Sequence, residues 1–140
     1  MNLYLARKKY EDTLVVILRL SLALIFVWFG LLKVAGYNPV NALISSVSPF
    51  LASGIGLTLL GSFETLIGIG LLVNRARLLV HTLLVLHLSG TFLTFFTDLS
   101  IVFVPHFPIL SLDGEFVIKN LVLATAGLLV LLHQSRKMVR

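Results

Sequence analysis

Residues 54–73 read GIGLTLLGSFETLIGIGLLV, and the rest of the chain can be interpreted outward from them. These 20 residues are apolar nearly throughout. A helix that rises about 1.5 Å per residue needs about 20 residues to cross the hydrocarbon core of a bilayer. A carboxylate, Glu64, lies at the middle of the stretch. Because a charge at that depth costs about 2.5–3.5 kcal/mol on insertion scales, we expect Glu64 to have a partner, a proton or a function.

The composition of the whole chain is that of a small integral membrane protein. Of its 140 residues, 58% are hydrophobic and 12% are charged, which does not suit a soluble domain. The net charge of +5 does not indicate nucleic-acid binding, because most basic residues lie at the ends of apolar spans, where they favour anionic lipid. The chain contains no cysteine, which excludes disulfides, thiolate metal sites and iron–sulfur clusters.

Four apolar spans are predicted, at residues 13–35, 54–73, 78–96 and 115–133. They predict a single transmembrane domain over residues 1–140, an all-α, antiparallel four-helix bundle. The polar residues 1–12 form a lead before the first span, and a loop or half-helix is expected at 40–51. An apolar outer segment, 99–112, is expected to pack over the mouth of the bundle or to dip into the headgroups.

Basic residues predict the orientation of the bundle. If both termini are cytoplasmic, the span-flanking Lys and Arg residues all fall on the cytoplasmic side, and the connections on the other side contain none. This arrangement satisfies the positive-inside rule and predicts a multi-pass protein of the inner (plasma) membrane. The flanking residues are Arg7, Lys8, Lys9, Arg75, Arg77, Arg136, Lys137 and Arg140.

Ionisable side chains inside the spans define a candidate site. Counting about 1.5 Å per residue from the centre of each span puts Glu64 and His87 close to the midplane. They are the natural pair if spans two and three face each other. By the same count Arg19 lies about 7 Å towards the cytoplasm, whereas Lys33 lies about 13 Å and Lys119 about 8 Å towards the outside.

Helical phase predicts which of these side chains point together. In span one, Arg19 and Lys33 share a face, and in span three His87, Thr91 and Thr94 form a polar stripe. In span two, small residues on the same side as the carboxylate would let another backbone approach closely. The predicted ligand or proton site therefore comprises Glu64, His87, Arg19, Lys33, Lys119, Thr91 and Thr94.

Each polar residue also has a structural interpretation. Arg19 and Lys33 are typical of cations that snorkel to the membrane surfaces. Glu64 is compatible with a protonated, hydrogen-bonded structural role, and Lys119 with an ion pair to Glu115 four residues earlier. The threonines are typical of helix-packing hydrogen bonds. No metal site is predicted, since the two histidines of span three lie about 120° apart around the helix.

Span one, LVVILRLSLALIFVWFGLLKVAGY, resembles the opening of the DoxX-like membrane proteins, in which an early Arg precedes an aromatic-Gly-x-x-Lys ending. FETLIGIGLL in span two resembles that family's Glu-x-x-x-Gly pattern. The positions concerned are Arg19, Trp28, Gly30, Lys33, Glu64 and Gly68.

The later run FPILSLDGEFVIKNLVL resembles the YkgB-type branch of that family, inner-membrane proteins linked to resistance against reactive chlorine. Its matching residues are Phe107, Pro108, Leu110, Ser111, Gly114 and Lys119. The chain departs from the branch by its shorter first outer loop and its shorter loop after span three. Relatives in the wider family are similar to the small subunit of a thiosulfate:quinone oxidoreductase.

The resemblance implies a quinone-interacting subunit in membrane redox chemistry or oxidative-stress defence. Because no covalently bound cofactor is expected, electrons would come from a membrane-bound or soluble redox partner. Two alternatives stay open: a small transporter or channel for a proton, anion or small molecule, and a membrane scaffold for a soluble partner. A narrow four-span pore would require a homo-oligomer. If the chain acts in an enzyme, it is as a subunit of a membrane oxidoreductase.

Overall fold

The apolar spans form long helices. A computed structural model describes residues 3–138, and four stretches are long and apolar enough to cross a membrane: Arg7–Val34, Gly54–Val73, Arg77–Thr97 and Leu112–Arg136. The all-α prediction is confirmed, whereas Arg140 of the flanking basic set lies outside the described residues. The elements are α1 (Leu3–Val34), α2 (Asn41–Val47), α3 (Gly54–Val73), α4 (Arg77–Thr91), α5 (Thr94–Thr97), α6 (Leu99–Val102) and α7 (Leu112–Met138).

The first helix is longer than predicted. Residues 3–12, expected as a separate lead, continue α1 without a break. Local bonds support this first part of the helix: Arg7 Nε donates to Glu11 Oε1 at 3.0 Å, and Thr13 Oγ1 donates to the Lys9 carbonyl at 2.9 Å. Since glycine and proline are absent from α1 until Gly30, nothing in the sequence ends the helix earlier.

The predicted third span, 78–96, lies within the apolar stretch Arg77–Thr97, which is divided into two helices. The helix α4 ends at Thr91, five residues before the predicted end at Phe96. The N–H groups of Phe92 and Leu93 bond to the carbonyls of Ser89 and Gly90, three residues back, at 3.1 and 3.2 Å. This tightened turn separates α4 from α5, while Phe92 and Leu93 keep right-handed helical backbone angles.

The helices α1 and α3 pack backbone against backbone. A Cβ atom built at Gly30 would lie 2.6 Å from the Gly61 carbonyl oxygen, and one built at Gly61 would lie 2.5 Å from the Gly30 carbonyl oxygen. Only glycine permits this approach from both sides. The predicted role of small residues beside Glu64 is therefore confirmed, and the crossing sets the relative height of α1 and α3.

The first part of α1 and the last part of α7 lie at the same end of the bundle. Near the start of α1, Asp12 Oδ1 lies 2.7 Å from Nε2 of His133, near the end of α7. The connection from α3 to α4 lies at this end too, where a Cβ at Gly70 would lie 2.7 Å from Val80 Cγ2. We call this the terminal end, and the opposite end, which carries α2, α5 and α6, the loop end.

The apolar outer segment forms a hairpin beside the start of α7. An isolated antiparallel bridge joins Phe103 to Leu110, and the Ser111 hydroxyl donates to the Ile101 carbonyl. Large apolar side chains remain outside, with Phe107 and Leu112 74% and 88% exposed. Contact with headgroups remains a prediction, and this surface composition is compatible with it.

A dry apolar layer fills the bundle between the middle and the terminal end. Its eight side chains are at most 4% exposed and come from four helices. No polar atom enters the set, which makes this layer the hydrophobic core of the described chain. Its members are Leu22, Ala23, Phe26, Ile67, Leu71, Leu84, Leu88 and Val130.

Gly61→Ala should destabilise the bundle by about 1–3 kcal/mol, because the added methyl group forces α1 and α3 apart. Unfolding in lipid discs, followed by circular dichroism, measures the loss. Gly54→Ala is the matched control, since a Cβ there meets nothing within 4 Å. Equal stability of the two variants would contradict the close crossing.

The orientation is testable because the chain has no cysteine. Single cysteines at Tyr37 and Phe107 at the loop end should react with an impermeant thiol reagent from outside the cell. A cysteine in place of Arg75 should react with the reagent only after the membrane has been made permeable. Labelling of all three from the same side would contradict the four-span orientation.

Candidate functional site

The buried carboxylate of α3 is held by two other helices. Lys33 Nζ, from α1, lies 2.7 Å from Glu64 Oε2, and His87 Nε2, from α4, lies 2.9 Å from Glu64 Oε1. Glu64 and Lys33 are 6% and 5% exposed. The structure thus brings three of the predicted site residues together, and we call Lys33, Glu64 and His87 the central triad.

The inward position of Lys33 follows from the direction of helical side chains. Cα–Cβ bonds tilt towards the N-terminus of their helix, so the lysine stem on α1 runs back towards the middle of the bundle. At the crossing, Gly61 lies against the Lys33 Cβ, which leaves Glu64 one turn deeper. The ammonium group therefore turns inward, which the count of depth by Cα position alone did not predict.

The imidazole of the triad is fixed by aromatic neighbours. The ring of His87 lies 5.8 Å from those of Phe26 on α1 and Phe63 on α3, measured between centroids. A carboxylate oxygen that faces an ammonium group accepts hydrogen bonds, so His87 Nε2 carries the proton and donates to Glu64.

A cavity of about 560 Å³ lies against the triad on the loop side of the apolar core. Its walls are mostly apolar and come from α1, α2, α3, α4 and α7. Its volume is in the range of small-molecule sites, about 300–1,000 Å³. The lining side chains of Leu86 and Leu93 are also 63% and 50% exposed, so this wall reaches the outer surface of the bundle.

The formal charges around the cavity cancel. Inside it, the ammonium of Lys33 faces the carboxylate of Glu64, and at its edge Lys119 Nζ lies 2.7 Å from Glu115 Oε2. The second pair is on the surface, with its side chains 71% and 48% exposed. The predicted ion pair of Lys119 within its own helix is confirmed, and the residue also lines the cavity. A neutral ligand suits such a site better than an anion or a cation.

A buried amide on the last helix was missed by the sequence analysis. Asn120, on α7, is 1% exposed and lines the cavity. Its Nδ2 donates at 3.1 Å to Thr91 Oγ1, whose own hydroxyl donates to the Leu88 carbonyl at 2.7 Å. The sequence did contain a signal for Asn120, which is a polar residue inside an apolar span. An uncharged amide in such a span needs a hydrogen-bond partner, as a charged side chain does.

The structure does not bring Arg19 to the triad. Its guanidinium donates to the carbonyls of Leu71 and Leu72, at the terminal end of α3, the second at 3.1 Å. These carbonyls belong to the last turn of a helix and have no partner within it. Arg19 is therefore a helix cap, favoured by the negative end of the helix dipole.

Thr94 is also separate from the triad. It is fully buried in α5, beyond the turn that ends α4, and its hydroxyl has no hydrogen-bond partner among the described residues. Asp98, four residues after Thr94, caps α6, with its Oδ1 3.0 Å from the Ser100 amide nitrogen. Of the predicted stripe, only His87 and Thr91 line the cavity.

The described residues offer no cluster of three or more His, Cys, Asp or Glu side chains that could hold a metal ion. No protein-family model, curated protein or solved structure matches this chain. The chemistry of the cavity is therefore argued from its own residues.

The central triad should contribute more to the free energy of unfolding than a surface ion pair with the same distance between its nitrogen and oxygen atoms. Lys33→Met or Glu64→Gln alone should cost about 3–5 kcal/mol, because each leaves a buried group without its partner. The double variant should cost less than the two single changes added together. Unfolding in lipid discs by denaturant measures all three free energies.

Lys119→Met is the matched control, since its pair has the same 2.7 Å separation but is exposed. It should change stability little or not at all. If Lys33→Met and Lys119→Met were equally mild, the central triad would not be a stabilising element.

Proposed function

We propose that this chain is a DoxX-like protein of the inner membrane that binds a quinone headgroup in the cavity beside the central triad, as a subunit of a membrane redox complex. The observation that carries the proposal is the position of the triad: three polar groups with defined donors at the inner end of an apolar cavity. Family membership, both termini in the cytoplasm and a role in oxidative-stress defence rest on the sequence resemblance and the charge pattern.

The donors of the cavity fit the headgroup. A quinone ring has two carbonyl oxygens that accept hydrogen bonds. Lys33 Nζ carries three N–H bonds and directs one to Glu64, so others remain for a ligand oxygen. The hydroxyl and amide of Thr91 and Asn120 provide polar groups on a different part of the wall.

The apolar walls fit the rest of such a molecule. A quinone with a hydrocarbon tail is dissolved in the bilayer, so it reaches the protein from the lipid. The exposed lining residues Leu86 and Leu93 mark the wall where a tail can pass between cavity and lipid. The cancelled charges favour the neutral ring over an ionic solute.

The triad can deliver protons while a partner delivers electrons. Reduction of a quinone to a quinol consumes two electrons and two protons. The described residues contain no thiol or metal cluster, so a redox protein on the membrane or in solution is the proposed electron source. His87 and Lys33 each carry an exchangeable proton close to the ligand, and Glu64 holds both groups in place.

The dry layer favours binding over transport. A conduction path needs polar groups or water along its length, but the eight core side chains that pack next to the triad on its terminal side are apolar and at most 4% exposed. The cavity is therefore accessible from the loop half of the bundle. The proposal places ligand and proton exchange there.

Mass spectrometry of lipids extracted from protein in native-membrane discs tests the proposal. We expect a near-stoichiometric quinone in the unaltered protein and its loss in Glu64→Gln. Glu115→Gln is the matched control, because that carboxylate also pairs with a lysine but lies on the surface. The variant Lys33→Met/Glu64→Gln, which removes both charges together, separates loss of the site from loss of the fold when helix content is measured in parallel.

Absence of quinone from the unaltered protein, or equal quinone in Glu64→Gln, would overturn the proposal. Flux into liposomes that depended on Glu64 would then favour the transporter. A protein without quinone and without flux would favour the scaffold.

A further inference from the structure

The orientation of the Asn120 amide is set by a chain of hydrogen bonds. Thr91 Oγ1 lies 2.7 Å from the Leu88 carbonyl oxygen, and a carbonyl only accepts, so the hydroxyl hydrogen of Thr91 lies between them. Thr91 Oγ1 is then an acceptor towards Asn120, at 3.1 Å, and the atom that faces it must be the amide nitrogen. The amide oxygen, Oδ1, therefore lies on the side away from Thr91.

The amide oxygen of Asn120 is accessible from the cavity. It accepts no hydrogen bond among the described residues, yet it does not belong to the fully buried polar atoms that lack a partner, so it keeps accessible surface. Because Asn120 is only 1% exposed and lines the cavity, that surface faces the cavity. Asn120 thus offers a ligand an acceptor with a fixed direction.

This acceptor lies about one helical turn from the central triad. Thr91 follows His87 by four residues on α4, so the two side chains share a face and lie about 6 Å apart along the helix axis. Both residues line the cavity. Since His87 belongs to the triad and Thr91 bonds to Asn120, the triad and the amide are neighbours on the cavity wall. A six-membered ring with an oxygen at each end is comparable in length to one helical turn, so a headgroup held by the triad can reach the amide with its second oxygen.

The triad and the amide differ in what they can exchange with a ligand. At the triad, Lys33 donates and Glu64 accepts, so an oxygen bound there can be a carbonyl or a hydroxyl. At Asn120, Oδ1 only accepts, so its partner must carry a hydrogen. A quinone oxygen carries none, whereas each oxygen of a quinol is a hydroxyl. The amide oxygen therefore distinguishes two redox states that the triad does not.

We infer that Asn120 makes the cavity bind the quinol more tightly than the quinone, by accepting a hydrogen bond from the second hydroxyl group. This preference rests on the proposed function, since it belongs to the same quinone site. A buried acceptor without a partner is unfavourable, so the quinol gains an interaction that the quinone lacks. Because the form that binds more tightly is favoured at equilibrium, bound quinone takes up its two electrons and two protons more readily than free quinone.

Binding of one labelled probe in two redox states tests the inference. The affinity of the protein in lipid discs for tritium-labelled decylubiquinone is measured with the probe kept oxidised and, separately, kept reduced by dithionite. Empty discs measure its partition into lipid. We expect the reduced probe to bind about tenfold more tightly than the oxidised one. Asn120→Leu should weaken binding of the reduced probe about tenfold and of the oxidised probe by no more than about twofold.

Thr125→Val is the matched control on α7, since its exposed hydroxyl bonds to the Leu121 carbonyl of its own helix at 2.8 Å. It should change neither affinity. Equal affinities for the two forms in the unaltered protein, which need no variant to fold, would overturn the inference. Equal losses of both forms in Asn120→Leu would also overturn it, and would assign the second N–H of the amide to a quinone oxygen. Absence of binding of either form would overturn the proposed quinone site itself, and the preference with it.

Discussion

The ion pair between Lys33 and Glu64 is the constraint on which the rest of the structure depends. Two opposite charges buried among apolar side chains are tolerated only if they stay in contact, at 2.7 Å here. Contact requires α1 and α3 to cross closely and at a set height. The glycines at the crossing provide both conditions, and His87 then ties α4 to the same carboxylate.

The two halves of the bundle differ in what they bury. The loop half contains a cavity with polar groups at its inner end, whereas the middle is filled by apolar side chains. Further buried polar side chains, among them His81 and Gln134, lie towards the terminal end. Apolar packing therefore lies between the cavity and these side chains.

The partners of the buried and cavity-lining cations help to choose among the functions that the sequence left open. Cations at the edges of a polar stripe favour an anion as long as they are free. In the structure, Arg19 is directed to helix carbonyls, Lys33 to Glu64 and Lys119 to Glu115. With their charges balanced in this way, the lysines can donate hydrogen bonds to a ligand without adding net charge, and this supports the proposal of a neutral quinone over an anion.

The sequence by itself determined the all-α class, the four apolar spans and the matched depth of Glu64 and His87, because length, hydropathy and helical rise are local properties. The direction of Lys33, the use of Arg19 as a cap, the partner of Asn120 and the end of α4 at Thr91 were decided by the tertiary structure. Each depends on which backbone lies opposite and how closely it approaches. The charged group of a long side chain can lie level with any of several positions along its helix, so the position of its Cα atom predicts the depth of the charge poorly. The packing of the helices then decides which partner the group meets.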